Sequence, residues 1–216
     1  MTYDTIIRPT TIDGVSDWVW PKDDEGLWQG PSQEWSAIKP FITDNCADFT
    51  NVVQAGGGCG MFPRLLSNIF KYVYTFEPDP YNFYCLSQNC QSENIYKFNC
   101  ALGDQHRKIV FSAPQESNRG TGVITSQIED KERSLSAGNA VMLKIDDFIF
   151  DSLGLIYLDI ENSEIYALRG SINTLKMHKP LVICESAGER LTNMLESIDY
   201  TIVGKSGADT IFKVVQ

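Results

Sequence analysis

The sequence predicts an α/β fold, in which a Rossmann-like, doubly wound sheet of seven mostly parallel strands ends in an antiparallel hairpin. Three observations support this fold class. Strand and helix signals alternate from residue 51 onwards, a glycine-rich turn follows the first of these strands, and residues 201–203 and 211–215 form two β-rich runs joined by a polar turn. Because strands that alternate with helices form parallel sheets with right-handed crossovers, we expect helices on both faces of the sheet.

The predicted elements follow one another regularly through most of the chain. Apolar runs predict strands at residues 51–54, 72–76, 95–100, 155–160 and 181–184. Apolar residues at helical spacing predict helices at residues 61–70, 81–91, 165–177 and 191–198. Pro63 falls in the first turn of its helix, where proline is tolerated.

Residues 104–140 interrupt this regular pattern. Short strands are predicted at residues 108–111 and 123–124, whereas residues 117–122 and 127–139 have the composition of a polar loop. We interpret the whole segment as an insertion in a domain that spans residues 51–216, and as a candidate lid or acceptor-binding element.

Residues 1–50 are predicted to form a tryptophan-rich, irregular N-terminal arm and a leading helix. The arm and helix contain all four tryptophans, Trp18, Trp20, Trp28 and Trp35, and the short helix, at residues 33–39, is expected to end before Pro40. We expect the tryptophans to pack the arm against its own domain or against a partner subunit, which would give a homo-oligomer. The alternative is that they stack on a sugar or aromatic acceptor.

The composition restricts the expected partners. With 18 basic and 28 acidic side chains the net charge is -10, so the average surface field repels phosphate backbones and anionic lipids. We therefore expect neither a nucleic-acid nor a membrane partner. The six cysteines form no Cys-x-x-Cys pair, which argues against a zinc or redox site, and no signal peptide is apparent. A cytoplasmic location is the expectation.

Gly56, Gly58 and Gly60 lie between the first predicted strand and its helix, where glycine lets the backbone approach a ligand closely. A dinucleotide-binding Gly-x-Gly-x-x-Gly motif that starts at Gly56 would need glycine at the position of Met61, which argues against an NAD-dependent oxidoreductase. The Gly-x-Gly-x-Gly form is found instead in methyltransferases that use S-adenosylmethionine (SAM). A glycine-rich turn that binds no ligand is the alternative.

Two polar residues flank this loop in the predicted sheet. Glu77 ends the second strand, where a carboxylate can accept hydrogen bonds from both hydroxyls of an adenosine ribose; the alternative is a solvated glutamate at a strand end. Gln54 precedes the loop and can accept a hydrogen bond from the methionine ammonium of SAM. Because an amide supplies no opposing charge, we expect it to bind that ammonium less tightly than an acid by about 1 kcal/mol.

Asp159 and Glu161 are two positions apart at a strand end, so in strand geometry they face the same side, and Glu164 follows in the first turn of the next helix. We expect these three carboxylates to converge. Like charges held close raise a pKa, which suits a general base that removes a proton from an acceptor hydroxyl. Binding of a divalent metal, and capping of the helix, are the two alternatives.

The sequence resembles the FkbM family of methyltransferases at several motifs, which occur in the family's order. These are Phe76-Glu77-Pro78-Asp79-Pro80, Asn89, Asn94, Ala101-Leu102-Gly103, Asp146-Asp147, residues 156–164, Leu168-Arg169-Gly170 and residues 180–185. Residues 156–164 are similar to the family signature Ile-Lys-Ile-Asp-Val-Glu-Gly-x-Glu. The resemblance runs from about residue 51 to 215. Two positions differ from the family pattern: Gln54 replaces an acid, and Asn162 replaces a glycine, although asparagine tolerates a left-handed backbone.

The resemblance implies the class I methyltransferase fold, SAM as cofactor, and O-methylation of a hydroxyl on a sugar or other small-molecule or glycan acceptor. The predicted cofactor-binding residues are Gln54, Gly56, Gly58, Gly60, Glu77, Cys100, Ala101 and Asp159, and the predicted catalytic residues are Asp159 and Glu161. No residue selects one acceptor. The opposing interpretation is a non-catalytic nucleotide-binding or protein-interaction module that keeps the fold, and Gln54 favours it.

Overall fold

A computed structural model describes residues 3–24, 30–112, 123–124 and 136–215. Its helices, in chain order, are α1 (Gly30–Asn45), α2 (Met61–Leu66), α3 (Pro80–Asn89), α4 (Glu164–Arg169), α5 (Ile172–His178) and α6 (Glu189–Glu196). Its strands are β1 (Thr5–Arg8), β2 (Trp18–Pro21), β3 (Asn51–Ala55), β4 (Tyr72–Phe76), β5 (Ile95–Phe98), β6 (Ala101–Leu102), β7 (Arg107–Ser112), β8 (Val123–Ile124), β9 (Ser136–Leu143), β10 (Leu155–Leu158), β11 (Leu181–Glu185), β12 (Tyr200–Ser206) and β13 (Asp209–Val214).

The central sheet has seven strands in the order β12-β13-β11-β10-β3-β4-β5. The five strands from β11 to β5 are parallel, and β13 runs antiparallel to both β11 and β12. This confirms the predicted fold class, including the C-terminal hairpin. The strand order reverses between β3 and β10, and the carboxyl ends of strands at such a point form the crevice in which α/β sheets bind ligands.

Each face of the central sheet is covered by a separate hydrophobic core. Neighbouring residues of β3 point to opposite faces, so Val52 packs with side chains of α1, α2 and α3, such as Ile38 and Leu86. Val53 packs with side chains of α4, α5 and α6, such as Leu168. Since the helices cover both faces of the sheet, a ligand can approach the strands at the loops that follow their carboxyl ends.

Three helices differ from the prediction, and α2 is the first of them, because it ends at Leu66 instead of residue 70. α1 continues through Pro40 instead of ending before it. Proline has no N–H to donate to the carbonyl of Ser36, but Pro40 and Ser36 both lie on the exposed side of the helix, where water can bond that carbonyl. The helix predicted at residues 165–177 is broken at Gly170, whose carbonyl accepts the Asp146 N–H at 2.9 Å. Within the described ranges, no helix is both long and apolar enough to cross a membrane.

The segment 104–140 contributes to a second sheet, with the strand order β6-β9-β7-β8. The predicted strands at 108–111 and 123–124 are present, but the predicted loop at 127–139 is wrong from residue 136, where β9 begins. Small and polar residues open β9, so its first half lacks the apolar alternation that marks a strand. Residues 113–122 and 125–135 lie outside the described residues, and so does most of the predicted loop.

The N-terminal arm was predicted to be irregular, and this prediction is wrong, because the arm contains the antiparallel pair β1 and β2. Trp18 is fully buried, and its indole N–H donates to the carbonyl of Thr10 at 3.0 Å. Trp35, on α1, is also buried and donates to Asp13 at 2.9 Å. Both rings belong to the hydrophobic core shared with α2 and α3, so the arm packs against its own chain. Trp28 lies outside the described residues.

Candidate functional site

The glycine loop, Gly56–Gly60, turns sharply between β3 and α2. The N–H groups of Gly56 and Gly57 both donate to the carbonyl of Phe76 on β4, at 3.2 and 2.9 Å. Gly56 has a φ of +81°, and a Cβ at this position would lie 1.7 Å from the carbonyl oxygen of Asp159. Only glycine therefore lets the end of β3 pack so closely against the end of β10.

Gly58 is the loop residue with space beside it. Its φ is +50°, and a Cβ added there would meet no atom within 4 Å. Its N–H donates to Oε2 of Glu77 at 2.7 Å. The middle of the loop therefore presents bare backbone to open space next to a carboxylate, an arrangement suited to close contact with a ligand.

Glu77 follows directly after β4 and is only 6% exposed. Besides Gly58, its carboxylate accepts the N–H of Asp79 at Oε1, at 2.8 Å. Burial raises the pKa of Glu77 to about 8, although the two amide donors oppose this shift. When ionised, the two carboxylate oxygens offer about four lone pairs, so Glu77 then keeps acceptor capacity for two further donors, and donors from a ligand would favour this ionised form.

Gln54 is buried in β3 beside the start of the loop, with 1% of its surface exposed. Its Nε2 donates to the carbonyls of Ala55 at 3.2 Å and Gly56 at 3.0 Å, and its Oε1 accepts the hydroxyl of Thr75 at 2.7 Å. The amide therefore supports the first residues of the loop from below. Its contact with a methionine ammonium stays a prediction.

Cys100 and Ala101, the other predicted cofactor-binding residues on this side, come just after β5 and are 4% and 5% exposed. Burial raises the pKa of the Cys100 thiol to about 11, so it is present as a neutral thiol at ordinary pH. Asn99 joins this segment to the neighbouring strand end, because its Nδ2 donates to the carbonyl of Glu77 at 2.8 Å. The segment thus lies beside Glu77.

Asp159 directly follows β10, and its side chain is hydrogen-bonded to that of Glu185 at the end of β11. Burial raises the pKa of Asp159 well above its ordinary range, and the charge of Glu185 raises it further. A hydrogen bond between two carboxyl groups requires a proton on one of them. Asp159 and Glu185 therefore form a pair that holds a proton.

The three predicted carboxylates do not share one strand face. The chain leaves strand geometry after Leu158, and Glu161 and Asn162 have φ values of 50° and 68°. The left-handed backbone expected at Asn162 is confirmed. Glu164 is 4% exposed and accepts the N–H of Ile160 at 2.9 Å, so it braces the turn that precedes α4, whereas the N-cap residue of that helix, Ser163, makes no side-chain capping bond. Burial, followed by the charge of Glu185, raises the pKa of Glu161.

Sequence reasoning did not assign site roles to Glu185 and Asp209. Together with Asp159 and Tyr157 they line a cleft of about 270 Å³, which α1 and the turn between β12 and β13 close. Burial, then the charges of Glu185 and Glu34, raises the pKa of Asp209 to about 7. The acid that ends the apolar run at residues 181–185 was a usable signal for Glu185, whereas nothing local marks Asp209.

Within the described part of the chain, no group of three or more histidine, cysteine, aspartate or glutamate side chains has a geometry that could hold a metal ion.

The methyltransferase FkbM domain family matches residues 59–202 of the sequence. This range includes Gly60, Glu77 and Asp159, whereas Gln54, Gly56 and Gly58 precede it. No curated protein sequence matches the chain significantly.

Three solved structures are similar in fold. An FkbM methyltransferase from Methylobacillus flagellatus KT is 22% identical with a TM-score of 0.53, over 77% of this chain and 43% of that one. The tRNA (uracil-54, C5)-methyltransferase of Pyrococcus abyssi, in complex with S-adenosyl-L-homocysteine, is 13% identical with a TM-score of 0.50, over 98% and 44%. The ribosomal protein L11 methylase of Lactobacillus delbrueckii subsp. bulgaricus is 11% identical with a TM-score of 0.48, over 86% and 80%.

The chain thus spans less than half the length of the first two of these structures. By its name, the Pyrococcus abyssi protein acts on tRNA. Likeness of fold therefore gives no support to the expectation that nucleic acid is excluded as a partner.

Proposed function

The chain belongs to the FkbM family of methyltransferases, and from this premise we propose that it binds SAM and transfers the methyl group to a hydroxyl oxygen. The proposed cofactor site lies at the carboxyl ends of β3, β4, β5 and β10, within a unit formed by residues 51–216. The proposed acceptor is a sugar or another small-molecule or glycan hydroxyl, as the resemblance to the family implies.

The observation that carries this proposal is the buried carboxylate of Glu77 beside the open backbone of Gly58, 2.7 Å away. The spare acceptor capacity of Glu77 matches the two donor hydroxyls of an adenosine ribose. The space beside Gly58 gives a nucleoside room to approach. These residues therefore fit SAM, which, when bound, supplies a methyl group activated by a positively charged sulfur.

The proposed general base is Asp159, acting as a pair with Glu185. A carboxyl pair that holds one proton keeps one ionised oxygen, and its raised pKa strengthens it as a base. The ionised carboxylate would accept the proton of an acceptor hydroxyl while the hydroxyl oxygen bonds the methyl carbon in line; the bond between that carbon and sulfur would break, with S-adenosylhomocysteine as the leaving group. Glu161, the second proposed catalytic residue, adds negative charge that keeps the pKa of Asp159 high.

We also propose that the segment 104–140 contributes to acceptor binding. β6 begins at Ala101, one of the proposed cofactor-binding residues, and pairs with the end of β9, the strand whose first residues belong to this segment. The second sheet is therefore joined directly to the cofactor edge of the central sheet. Its position supports a role in covering the bound acceptor.

The experiment that tests the function is calorimetric titration of the purified protein with SAM, S-adenosylhomocysteine and NAD in parallel. We expect micromolar binding of both sulfur compounds and none of NAD. Hydroxylated acceptors, sugars first, are then screened for methyl transfer. In Asp159→Asn, loss of methyl transfer with SAM affinity kept would support the role of general base, whereas loss of SAM affinity would assign Asp159 to cofactor binding, its other predicted role.

One observation favours a second candidate function, a non-catalytic module that keeps the fold. The amide of Gln54 is bonded to Ala55, Gly56 and Thr75, and it offers no charge to the ammonium of SAM. Absence of binding to all three compounds would support this module and exclude the methyltransferase activity.

A further inference from the structure

Asn89, at the end of α3, connects the glycine loop to the N-terminal arm. Its side chain is 4% exposed, and Nδ2 donates to the carbonyls of Cys59 at 2.6 Å and Val19 at 2.8 Å. Its Oδ1 accepts the N–H of Val19 at 2.7 Å. Both amide hydrogens and one oxygen lone pair of Asn89 are therefore bonded between the loop and β2.

The geometry of β2 explains why its backbone is available to Asn89. Val19 pairs with Ile7 of β1, but both its N–H and its C=O bond Asn89, so this is a non-hydrogen-bonded pair of the antiparallel ladder. The side chain of Asn89 completes the outer edge of β2 in the way that another strand would.

Arg64 makes a second connection between the same two regions. It lies on α2, which begins directly after Gly60, and its Nη1 donates to the carbonyl of Ser16 at 3.2 Å. Its guanidinium carbon lies 4.7 Å from the centre of the Trp18 ring, a cation–π contact. The arm is therefore connected to the end of the loop twice, through Asn89, which bonds Cys59, and through Arg64, which follows Gly60 on α2.

The second half of the loop also follows α3 closely. The thiol of Cys90 bonds the carbonyl of Gly60 at 3.3 Å, and a Cβ on Gly60 would lie 3.0 Å from the Cα of Leu86. Any displacement of α3 relative to the arm would consequently move Cys59 and Gly60.

We propose that Asn89 is a positioning residue for the methyl donor, because it fixes the second half of the glycine loop to the N-terminal arm. This inference rests on the proposed function, in which the loop binds SAM. The arm, which lies outside the family match at residues 59–202, is then part of the cofactor site's support without contacting the cofactor. Asn89 acts through the loop backbone and not on the reacting atoms.

The test compares Asn89→Ala with Val19→Pro, which removes the N–H that Asn89 accepts, and with Ile7→Pro as the matched control. Ile7 lies opposite Val19 and is 58% exposed, and its N–H points away from Asn89. Amide hydrogen exchange at Gly58 and Gly60 is measured in each unliganded protein, and SAM affinity by calorimetry. Val182, in β11, reports on global stability.

For Asn89→Ala we expect exchange at Gly58 and Gly60 to accelerate about tenfold and SAM affinity to fall about tenfold, with exchange at Val182 unchanged. Val19→Pro should give a smaller change of the same kind, and Ile7→Pro none. The double variant should match Asn89→Ala, since the bond that proline removes is already lost. Such non-additivity would not arise from two independent structural defects.

Unchanged loop exchange in both Asn89→Ala and Val19→Pro would overturn the inference, as would fully additive effects in the double variant. Val19→Pro keeps Asn89 in place and so tests the same link if Asn89→Ala does not fold. If the wild-type protein binds no SAM while loop exchange still responds to these variants, the proposed function fails and the link between arm and loop stands.

Discussion

Two halves of the carboxyl edge of the central sheet bury their acids in different ways. In the amide half, formed by the glycine loop and Glu77, the carboxylate is bonded by two backbone N–H groups. In the carboxyl half, formed by Asp159, Glu185 and Asp209, acids lie against other acids; burial raises the pKa values of Asp159 and Asp209, and the charge of Glu185 raises both further. In the first arrangement backbone donors oppose the rise in pKa that burial causes, which suits binding, whereas in the second neighbouring charges add to that rise, which suits proton transfer.

The largest expected effect is at Gly56, where the two halves meet. Gly56→Ala would place a Cβ 1.7 Å from the carbonyl oxygen of Asp159 at a φ of +81°. Overpacking and left-handed strain together should lower the free energy of unfolding by about 3–5 kcal/mol. Chemical denaturation followed by circular dichroism measures this loss.

Gly58→Ala is the matched control within the same loop. Its φ is also positive, at +50°, but the new Cβ would meet no atom within 4 Å. Only the backbone strain remains, so we expect a loss of about 1–2 kcal/mol. Equal losses in the two variants would show that contact between the halves does not determine the need for glycine at Gly56.

The amide half was largely predictable from the sequence, because its signals are local. A glycine spacing and an acid at the end of an apolar run identified the loop and Glu77 without knowledge of the fold. The carboxyl half depends on strand pairing instead. Glu185 and Asp209 are register partners on β11 and β13, and Asp159 reaches Glu185 across parallel strands, so no local pattern joins these acids.

The N-terminal arm also shows that local sequence patterns do not predict structure that depends on distant contacts. Its glycines and prolines predicted irregular structure, yet β1 and β2 pair, and Asn89 completes the edge of β2 from a position 70 residues away. Tertiary contacts of this kind override local turn signals. The left-handed turn at Asn162 was predictable because asparagine tolerates that backbone conformation locally.

Within the amide half, Glu77→Ala should weaken SAM binding by about tenfold to more than a hundredfold. The physical reason is the loss of charged hydrogen bonds to the ribose, worth about 1.5–3 kcal/mol. Glu77→Gln, which keeps one acceptor oxygen, should give an intermediate loss. Calorimetry with S-adenosylhomocysteine measures the affinities, and wild-type affinity in Glu77→Ala would mean that the carboxylate only braces Gly58 and Asp79.

Within the carboxyl half, Asp209 should make stability depend on pH. Its folded pKa is raised from 3.8 to about 7, mainly by burial, so the folded state binds the proton more tightly than the unfolded state. The resulting stability is complete below about pH 4 and is lost as the pH rises through about 7. The free energy of unfolding is measured by thermal and urea unfolding at pH 4.5 and 8. In Asp209→Asn its decrease between these two pH values should be smaller than in the wild-type protein by on the order of 2 kcal/mol.

Asp13 should change the pH dependence of stability in the opposite direction to Asp209. Its pKa is lowered by hydrogen bonds from Lys39 and Trp35, so its stabilising effect is present above the unfolded pKa and is lost as the pH falls through the folded pKa. Asp13→Asn should therefore lower stability more at pH 7 than at pH 3. If both variants changed the pH profile in the same direction, the assignment of raised and lowered pKa values would be wrong.

The smallest expected effect comes from placing an acid, the side chain typical of the carboxyl half, in the amide half. Gln54→Glu places a buried acid where the amide now donates to the carbonyls of Ala55 and Gly56. The new carboxyl must either lose both bonds or take up a proton and keep one of them, so we expect stability to fall by about 1 kcal/mol. SAM affinity should not improve, because the acid is neutralised by the carbonyls that face it. A several-fold gain in SAM affinity at unchanged stability would instead mean that this side chain faces the ammonium, and that the amide half lacks a charge that an acid supplies.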